Sequence, residues 1–236
     1  MKKLSVVVLV VLSLTFAGLA EAAKPKKRTR NANRFGAYGA LLVGQARYTG
    51  DQSSLESDLV DFFSNTTDPT RNVSVSSKTN DIGYQASFGF RFNRYFAAEL
   101  GLAQYGELSS TVRGEFDQGD GFFPASVKIS FNVAGPVFSA VGLLPLGEKF
   151  DIYARVGYLF ASTEREFSAR IDGQLASASN TKGNSQTPVY AAGFTYHVNQ
   201  VYSIRAEYQQ IDNVGERGRT GTEDLNVIGL GFVMRF

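Results

Sequence analysis

The chain has 236 residues, enough for one large domain or two small ones, and a single barrel can use the whole of that length. It contains no cysteine, which excludes disulfides as the source of stability. The formal charge of +2 is lopsided: Lys24, Lys26, Lys27, Arg28, Arg30 and Arg34 lie together, so the chain from Phe35 onward is net acidic and nucleic acid is excluded as a partner.

Lys2 and Lys3 precede an apolar run from Leu4 to Ala20, and the small residues around Ala20-Glu21-Ala22 supply a cleavage site. Residues 1–22 therefore read as a secretory signal peptide. A membrane anchor is the alternative, but the run is short for a span of about 20 residues. Residues 23–34 form a basic tail containing Pro25 and no apolar periodicity, expected to be flexible and periplasmic. It is either a solvated leader or a segment drawn to anionic lipid headgroups. No second apolar stretch has the length of a membrane helix. A membrane location for the mature chain would therefore require a closed barrel, the other structure that satisfies its backbone in lipid.

Strand periodicity begins after the tail. Phe35 to Tyr48 reads as a first strand, with its facing left open by the consecutive Leu41, Leu42 and Val43. From Ile82 the alternation is clear, with Ile82, Tyr84, Ala86, Phe88, Phe90 and Phe92 on one face and Gly83, Gln85, Ser87, Gly89 and Arg91 on the other. Asn93 and Arg94 turn the chain into a third strand, where Phe96, Ala98, Leu100 and Leu102 oppose Ala97, Glu99, Gly101 and Ala103. That pattern fades by Glu107. A fourth strand runs from about Val127 to Leu143, its Val127, Ile129, Phe131 and Val133 set against Lys128, Ser130 and Asn132. Pro136 within it suggests a bulge or kink.

Pro145 to Lys149 makes the second short turn. Phe150, Ile152, Ala154, Val156, Tyr158 and Phe160 follow as a fifth strand, opposed by Asp151, Tyr153, Arg155 and Gly157. The sixth carries Tyr190, Ala192, Phe194 and Tyr196. Asn199 and Gln200 turn into the seventh, Tyr202, Ile204, Ala206 and Tyr208 against Ser203, Arg205, Glu207 and Gln209. The eighth spans Leu225 to Phe236, with Ile228, Leu230, Phe232, Met234 and Phe236 on its apolar face. Connections alternate between short turns and long polar loops at about 49–81, 106–126, 162–188 and 212–224. This is the layout of an all-β, eight-stranded antiparallel up-and-down transmembrane β-barrel over residues 35–236, with both termini on the short-turn side.

Phe92, Phe96, Phe150, Tyr196, Tyr202 and Phe236 flank the short turns and would form one interfacial girdle. Tyr84, Phe160, Tyr190 and Tyr208 would form the other. An aromatic final residue on an alternating strand, here Phe232, Met234 and Phe236, is what such barrels present to the barrel-assembly machinery. On the polar face, Glu99, Arg155 and Arg205 fall at similar heights with Glu207 a little above, and a network of Arg91, Glu99, Arg155, Arg205 and Glu207 is expected to pair inside a narrow lumen and plug it. A water path lined by the same charges is the functional alternative.

His197 is the single histidine, pointing inward beside Asn199, with no serine two residues on; no catalytic site is expected. No cofactor or metal site is expected either. Glu115, Asp117 and Asp120 lack the spacing of a calcium loop. The acidic first loop, with Asp51, Glu56, Asp58, Asp61 and Asp68 beside Arg71 and Lys78, reads as a solvated surface, with cation bridging to lipopolysaccharide phosphates as the sharper alternative. Asn65-Thr66-Thr67 and Asn72-Val73-Ser74 match a glycosylation pattern that carries no weight in a bacterial chain.

The signal, the eight strands, the turn Leu146-Gly147-Glu148-Lys149, the run from Phe150 to Tyr158 and the ending Gly229-Leu230-Gly231-Phe232-Val233-Met234-Arg235-Phe236 resemble the OmpA-like family of outer-membrane β-barrel proteins. The resemblance covers the chain from about Phe35. It implies a non-enzymatic outer-membrane protein of Gram-negative bacteria with a structural or surface-interaction role through its long extracellular loops. The implied surroundings are outer-membrane lipids, lipopolysaccharide and an extracellular ligand or host surface, with a monomeric barrel. Larger members append a peptidoglycan-binding domain, and a chain ending at the last barrel strand does not imply that anchoring. Two other readings stand beside this one: a narrow pore for small solutes or ions, and a soluble lipocalin-like binding barrel with the apolar face inward.

Overall fold

A computed structural model describes residues 35–49, 70–117, 121–216 and 218–236. The signal, the basic tail and the acids Asp51 to Asp68 of the first loop lie outside the described residues. Among the described residues nine strands follow in order: β1 (Gly36–Tyr48), β2 (Thr70–Lys78), β3 (Asn80–Arg91), β4 (Phe96–Asp117), β5 (Phe122–Leu146), β6 (Phe150–Ile171), β7 (Gln174–His197), β8 (Tyr202–Val214) and β9 (Glu223–Arg235). All pairings are antiparallel. The order β4-β3-β1-β9-β8-β7-β6-β5, with β5 returning to β4, closes a ring of eight. The last strand seals the ring against the first, with Leu41 beside Phe232 and the Phe236 amide donating to the Ala37 carbonyl at 3.1 Å.

The ninth strand lies inside what reads as the first long loop. β2 pairs with the far half of β4, from Thr70 beside Phe116 to Lys78 beside Ser109. Thr79 separates it from β3, which pairs with the near half of β4 and with β1. Two more long loops turn out to be ladder: β4 pairs with β5 out to Asp117 and Phe122, and β6 with β7 out to Ile171 and Gln174. Those extensions carry Ser, Thr, Asn and Glu on both faces. A strand that leaves lipid loses the apolar alternation by which it is recognised, while its hydrogen bonds continue.

Outward side chains between the turns are apolar and exposed: Phe88, Leu100, Phe138, Val156, Tyr158, Phe194, Ile228 and Leu230 among them. On β6 the band runs from Phe150 to Phe160, ten steps that rise about 25 Å at the usual strand spacing and barrel tilt. Phe92, Phe96, Phe150 and Tyr202 stand exposed at its short-turn edge; Tyr84, Phe160, Tyr190 and Tyr208 stand exposed at the other. Tyr196 and Phe236 are half-buried there, Tyr196 against Phe150 with ring centroids 5.0 Å apart.

Two expectations for β5 need correction. Val127, Phe131 and Val133 are buried inward, together with Val137 and Val141, so the apolar residues of this strand's outer half line the lumen. Pro136 produces no bulge in β5. The ladder to β6 passes from Ala134 beside Ser162 to Val137 beside Leu159 with its register unchanged. The bulge lies on β4, between Gln104 and Glu107, where Gly106 adopts φ 78°. Asp81 fastens it: its Oδ2 accepts the Glu107 amide at 2.9 Å while Oδ1 meets Lys78 Nζ at 2.9 Å. β1 resolves its facing with Tyr38, Ala40, Leu42, Ala46 and Tyr48 inward.

Candidate functional site

The lumen is filled in layers, each built from inward positions of neighbouring strands. At the short-turn mouth, Asp151 of β6 sits between Arg91 of β3, with Nη1 at 2.9 Å, and His197 of β7, with Nε2 at 3.0 Å. Arg91 also donates to the carbonyls of Asn93 and Arg94, tying the first turn to the mouth. His197 Nδ1 lies 2.8 Å from Ser203 Oγ and 2.9 Å from Arg235 Nη2.

Above the mouth sits a charged layer. Glu99 of β4 accepts from Tyr38 Oη at 2.7 Å and from Arg205 Nη1 at 2.8 Å, both on Oε1. Glu207 of β8 accepts from Tyr153 Oη at 2.5 Å on Oε2 and from Arg155 Nη2 on Oε1. The Arg205 guanidinium lies over the Tyr153 ring, 4.7 Å from its centroid. All six side chains are buried, and each charge faces an opposite one, the condition under which desolvated charges are tolerated.

The tyrosines reach their carboxylates because glycines stand between. Gly89 pairs with Tyr38 on one side and Glu99 on the other; Gly193 pairs with Tyr153 and Glu207. A Cβ on Gly89 would come 2.2 Å from the Tyr38 ring, and one on Gly193 would come 2.7 Å from the Tyr153 hydroxyl. The Tyr-Gly-Glu step thus occurs twice, on β1-β3-β4 and on β6-β7-β8, half a ring apart.

A neutral rung follows, in which Tyr105 donates to Gln209 Oε1 at 3.3 Å and Gln209 Nε2 to Gln85 Oε1 at 3.2 Å. Beyond it the lumen turns apolar. Tyr48, Leu108, Phe131, Val133, Val137, Leu159, Val189, Ile211, Leu225 and Val227 form one buried cluster across the barrel. The hydroxyls at this level are already engaged, Tyr48 Oη with the Gly106 carbonyl at 3.3 Å and Thr187 Oγ1 with the Asp212 carbonyl, so the layer offers little to water or to an ion.

Of the residues expected to form one network, Glu99, Arg155, Arg205 and Glu207 come together in the charged layer. Arg91 lies nearer the mouth with a different partner, Asp151. Height counted along each strand cannot pair these groups, because pairing depends on strand stagger around the ring. Tyr38, Tyr153, Asp151 and the apolar layer are absent from the sequence-based set. The glycine opposite each tyrosine is the signal that register, once known, would have supplied. No serine stands two residues after His197, but pairing of β7 with β8 makes Ser203 its direct cross-strand neighbour. Phe232 is exposed on the outer wall, whereas Met234 and Phe236 are half-buried at the seam, with the Phe236 ring against Gly39. Among the described residues no cluster of acids, histidines or cysteines has the form of a metal site.

A closed antiparallel ring of eight with an apolar exterior, aromatic edges and buried internal ion pairs is a transmembrane β-barrel. The chain belongs to the OmpA-like transmembrane domain family, which it matches over residues 37–236. It is 28% identical to Outer membrane protein A of Klebsiella pneumoniae over 178 residues, 74% of this chain and 44% of that protein. It is 26% identical to Outer membrane protein A of Yersinia pseudotuberculosis over 237 residues, all of this chain and 56% of that protein. The chain thus spans about half the length of these relatives. Among solved structures it is similar to Neisserial surface protein A, at 14% identity and TM-score 0.42 over 85% of this chain and 97% of that one. It is also similar to Ail of Yersinia pestis, crystallised with the heparin analogue sucrose octasulfate, at 16% identity and TM-score 0.37 over 85% and 99%. The protein is an outer-membrane β-barrel of Gram-negative bacteria.

Proposed function

We propose that this is a non-enzymatic barrel with a sealed lumen, whose role is structural or surface-interacting and is carried by its projecting hairpins. The observation that carries the reading is the stacking of an apolar layer on a paired charged layer across the same lumen. Water and ions would have to cross both. Hairpins of paired strand rising beyond the apolar band present a rigid surface where a flexible loop would not. With the termini on the short-turn side in the periplasm, these hairpins face outward, toward lipopolysaccharide and any extracellular partner, and each barrel stands alone as a monomer.

Catalysis is not supported by the Ser203, His197 and Asp151 arrangement. Ser203 is wholly buried, and Nδ1, the nitrogen that would take its proton, also faces the Arg235 guanidinium. A lipocalin-like binder would need Glu99, Arg155, Arg205 and Glu207 outside; all four are inside.

The test is membrane fractionation combined with protease added to intact cells. Recovery in the outer membrane, with cleavage confined to the hairpin around Asp172 and Gly173, is expected. Recovery as a soluble periplasmic protein, or cleavage only after the outer membrane is opened, overturns the reading.

A further inference from the structure

Outward positions of β3, β1 and β9 share rungs, because β1 pairs with both neighbours in unbroken register. Ile82, Gln45 and Ile228 make one such rung, and both isoleucines stand exposed, so it belongs to the apolar band. The next outward rung is Asn80, Arg47 and Asn226, about 7 Å further along the strands. Its residues point away from the lumen, which Ala46, Tyr48, Leu225 and Val227 fill. The rung is tied to the aromatic edge, since Asn226 Oδ1 accepts the Tyr208 hydroxyl at 2.9 Å.

We propose that Asn80, Arg47 and Asn226 form a binding site for the phosphate of an outer-leaflet lipid headgroup. The choice of leaflet rests on the outward-facing reading above; the site itself rests on the rung. Its chemistry is one-sided. Asn80 Oδ1 accepts from Thr79 Oγ1 at 3.1 Å and Asn226 Oδ1 from Tyr208, so both amide oxygens are used within the protein. The amide nitrogens remain as donors, with Asn226 Nδ2 holding one long contact of 3.5 Å to Thr49 Oγ1. Between them the exposed Arg47 side chain adds a guanidinium, and among the described residues no carboxylate pairs with it. Opposed residues on neighbouring strands have Cβ atoms about 5 Å apart, so both amides stand within side-chain reach of whatever the guanidinium holds. A guanidinium takes phosphate through two parallel N–H bonds.

Acids beside the rung are turned to other work. Asp224 Oδ1 accepts the Asn213 amide at 2.8 Å, and Asp212 Oδ1 takes the Gln210 side-chain nitrogen at 2.9 Å. The wall of β4 to β7 is built differently: Lys128 Nζ lies 3.0 Å from Glu107 Oε1, and Lys182 Nζ lies 3.7 Å from Glu164 Oε1. Those cations are neutralised by the protein's own carboxylates, whereas the charge of Arg47 is left for a ligand. The rung below selects the source of the phosphate. A lipid whose headgroup meets Arg47 lays its acyl chain on Ile82 and Ile228, and a free phosphate gains nothing from them.

The probe is lipid A carrying its phosphates, titrated into the folded barrel in neutral maltoside micelles and followed by NMR. Saturable shifts are expected at the Arg47 Nε–H and at the Asn80 and Asn226 side-chain amides, with none at the Asn132 amide on β5. Arg47→Met should weaken binding roughly tenfold, and Lys128→Met less than about twofold, with the heat-modifiable gel shift confirming that each variant is folded. Lipid A stripped of phosphate, and inorganic phosphate at the same concentration, should each bind roughly tenfold more weakly than the intact lipid. Equal binding of the stripped lipid overturns phosphate recognition, and equal binding of inorganic phosphate overturns the lipid as its source. Unchanged affinity in Arg47→Met, or an equal loss in Lys128→Met, overturns the site. Micelles have no leaflets, so a failure here is separate from a failure of the outward-facing reading, which protease on intact cells reports.

Discussion

Tyr38 and Tyr153 occupy matching places half a ring apart, each reaching over a glycine to hydrogen-bond a buried glutamate two strands away. The correspondence extends to the turns. Asn93 Oδ1 accepts the amides of Tyr95 at 2.7 Å and Phe96 at 2.9 Å; Asn199 Oδ1 accepts those of Val201 at 2.9 Å and Tyr202 at 2.7 Å. These turns follow β3 and β7, the same two strands that carry Gly89 and Gly193. The lumen is therefore organised around an approximate two-fold axis along the barrel. The arginines break it, since Arg155 and Arg205 both come from the second half and one of them crosses to Glu99.

Gly89→Ala places a methyl where the Tyr38 ring lies, and backbone on both sides prevents the strand from giving way. The tyrosine must leave Glu99. Overpacking of this kind costs about 1–3 kcal/mol, and the lost hydrogen bond to a charge adds to it. Urea midpoints measured in micelles should fall accordingly. Gly142→Ala is the control, because its Cβ meets no atom closer than 3.9 Å and the midpoint should hardly move.

Glu99→Gln leaves Arg205 buried without its carboxylate, a loss of roughly 3–5 kcal/mol. Replacing Arg205 by Met as well should recover most of it, since two apolar or neutral groups no longer strand a charge. The double-mutant cycle over urea midpoints gives the coupling directly. Coupling near zero would mean that the pair is not formed in the folded barrel.

Asn93→Ala and Asn199→Ala each remove the acceptor of two turn amides, with an expected loss of about 1 kcal/mol apiece. Asp at either position keeps the oxygen and should behave like the parent. Folding in vesicles, followed by the shift in gel mobility between folded and heated protein, reports both stability and rate. The two sites lie on different turns, so their effects should add.

Much of this was legible in the chain. Alternation between Ile82 and Phe92, or between Phe150 and Phe160, marks strands because lipid on one side and packed lumen on the other impose opposite chemistries on successive residues. The three short turns were read at Asn93-Arg94, within Pro145 to Lys149 and at Asn199-Gln200, and the strand ends fall there. What escaped had one of two physical causes. Outside the membrane both faces of a strand meet water, so β2 and the upper parts of β4 to β7 read as loop. In β5 the apolar face of the outer half, Val127, Phe131 and Val133, turns inward, and in the half nearer the short turn Val137 and Val141 face inward while Phe138 and Leu144 face lipid, so apolar character alone could not give the facing. The internal pairs needed a third kind of knowledge, the lateral register that sets Gly89 beside Tyr38.

The layering of the lumen separates two ways of closing it. If the ion pairs were the sole barrier, Glu99→Gln or Arg205→Met would open a path; if the apolar layer also seals, they would not. Leu159 and Val137 sit in that layer with almost no exposure, and each faces other aliphatic groups. Dry apolar constrictions block ions because entering them strips hydration without replacing it. Planar-bilayer recordings should therefore show no conductance for the parent chain or for Glu99→Gln. Combining Glu99→Gln with Leu159→Ser and Val137→Ser should yield small, noisy openings, provided the heat-modifiable gel shift shows the barrel intact. Steady conductance from Glu99→Gln alone would place the seal in the charged layer and remove the apolar layer from the account of a closed lumen.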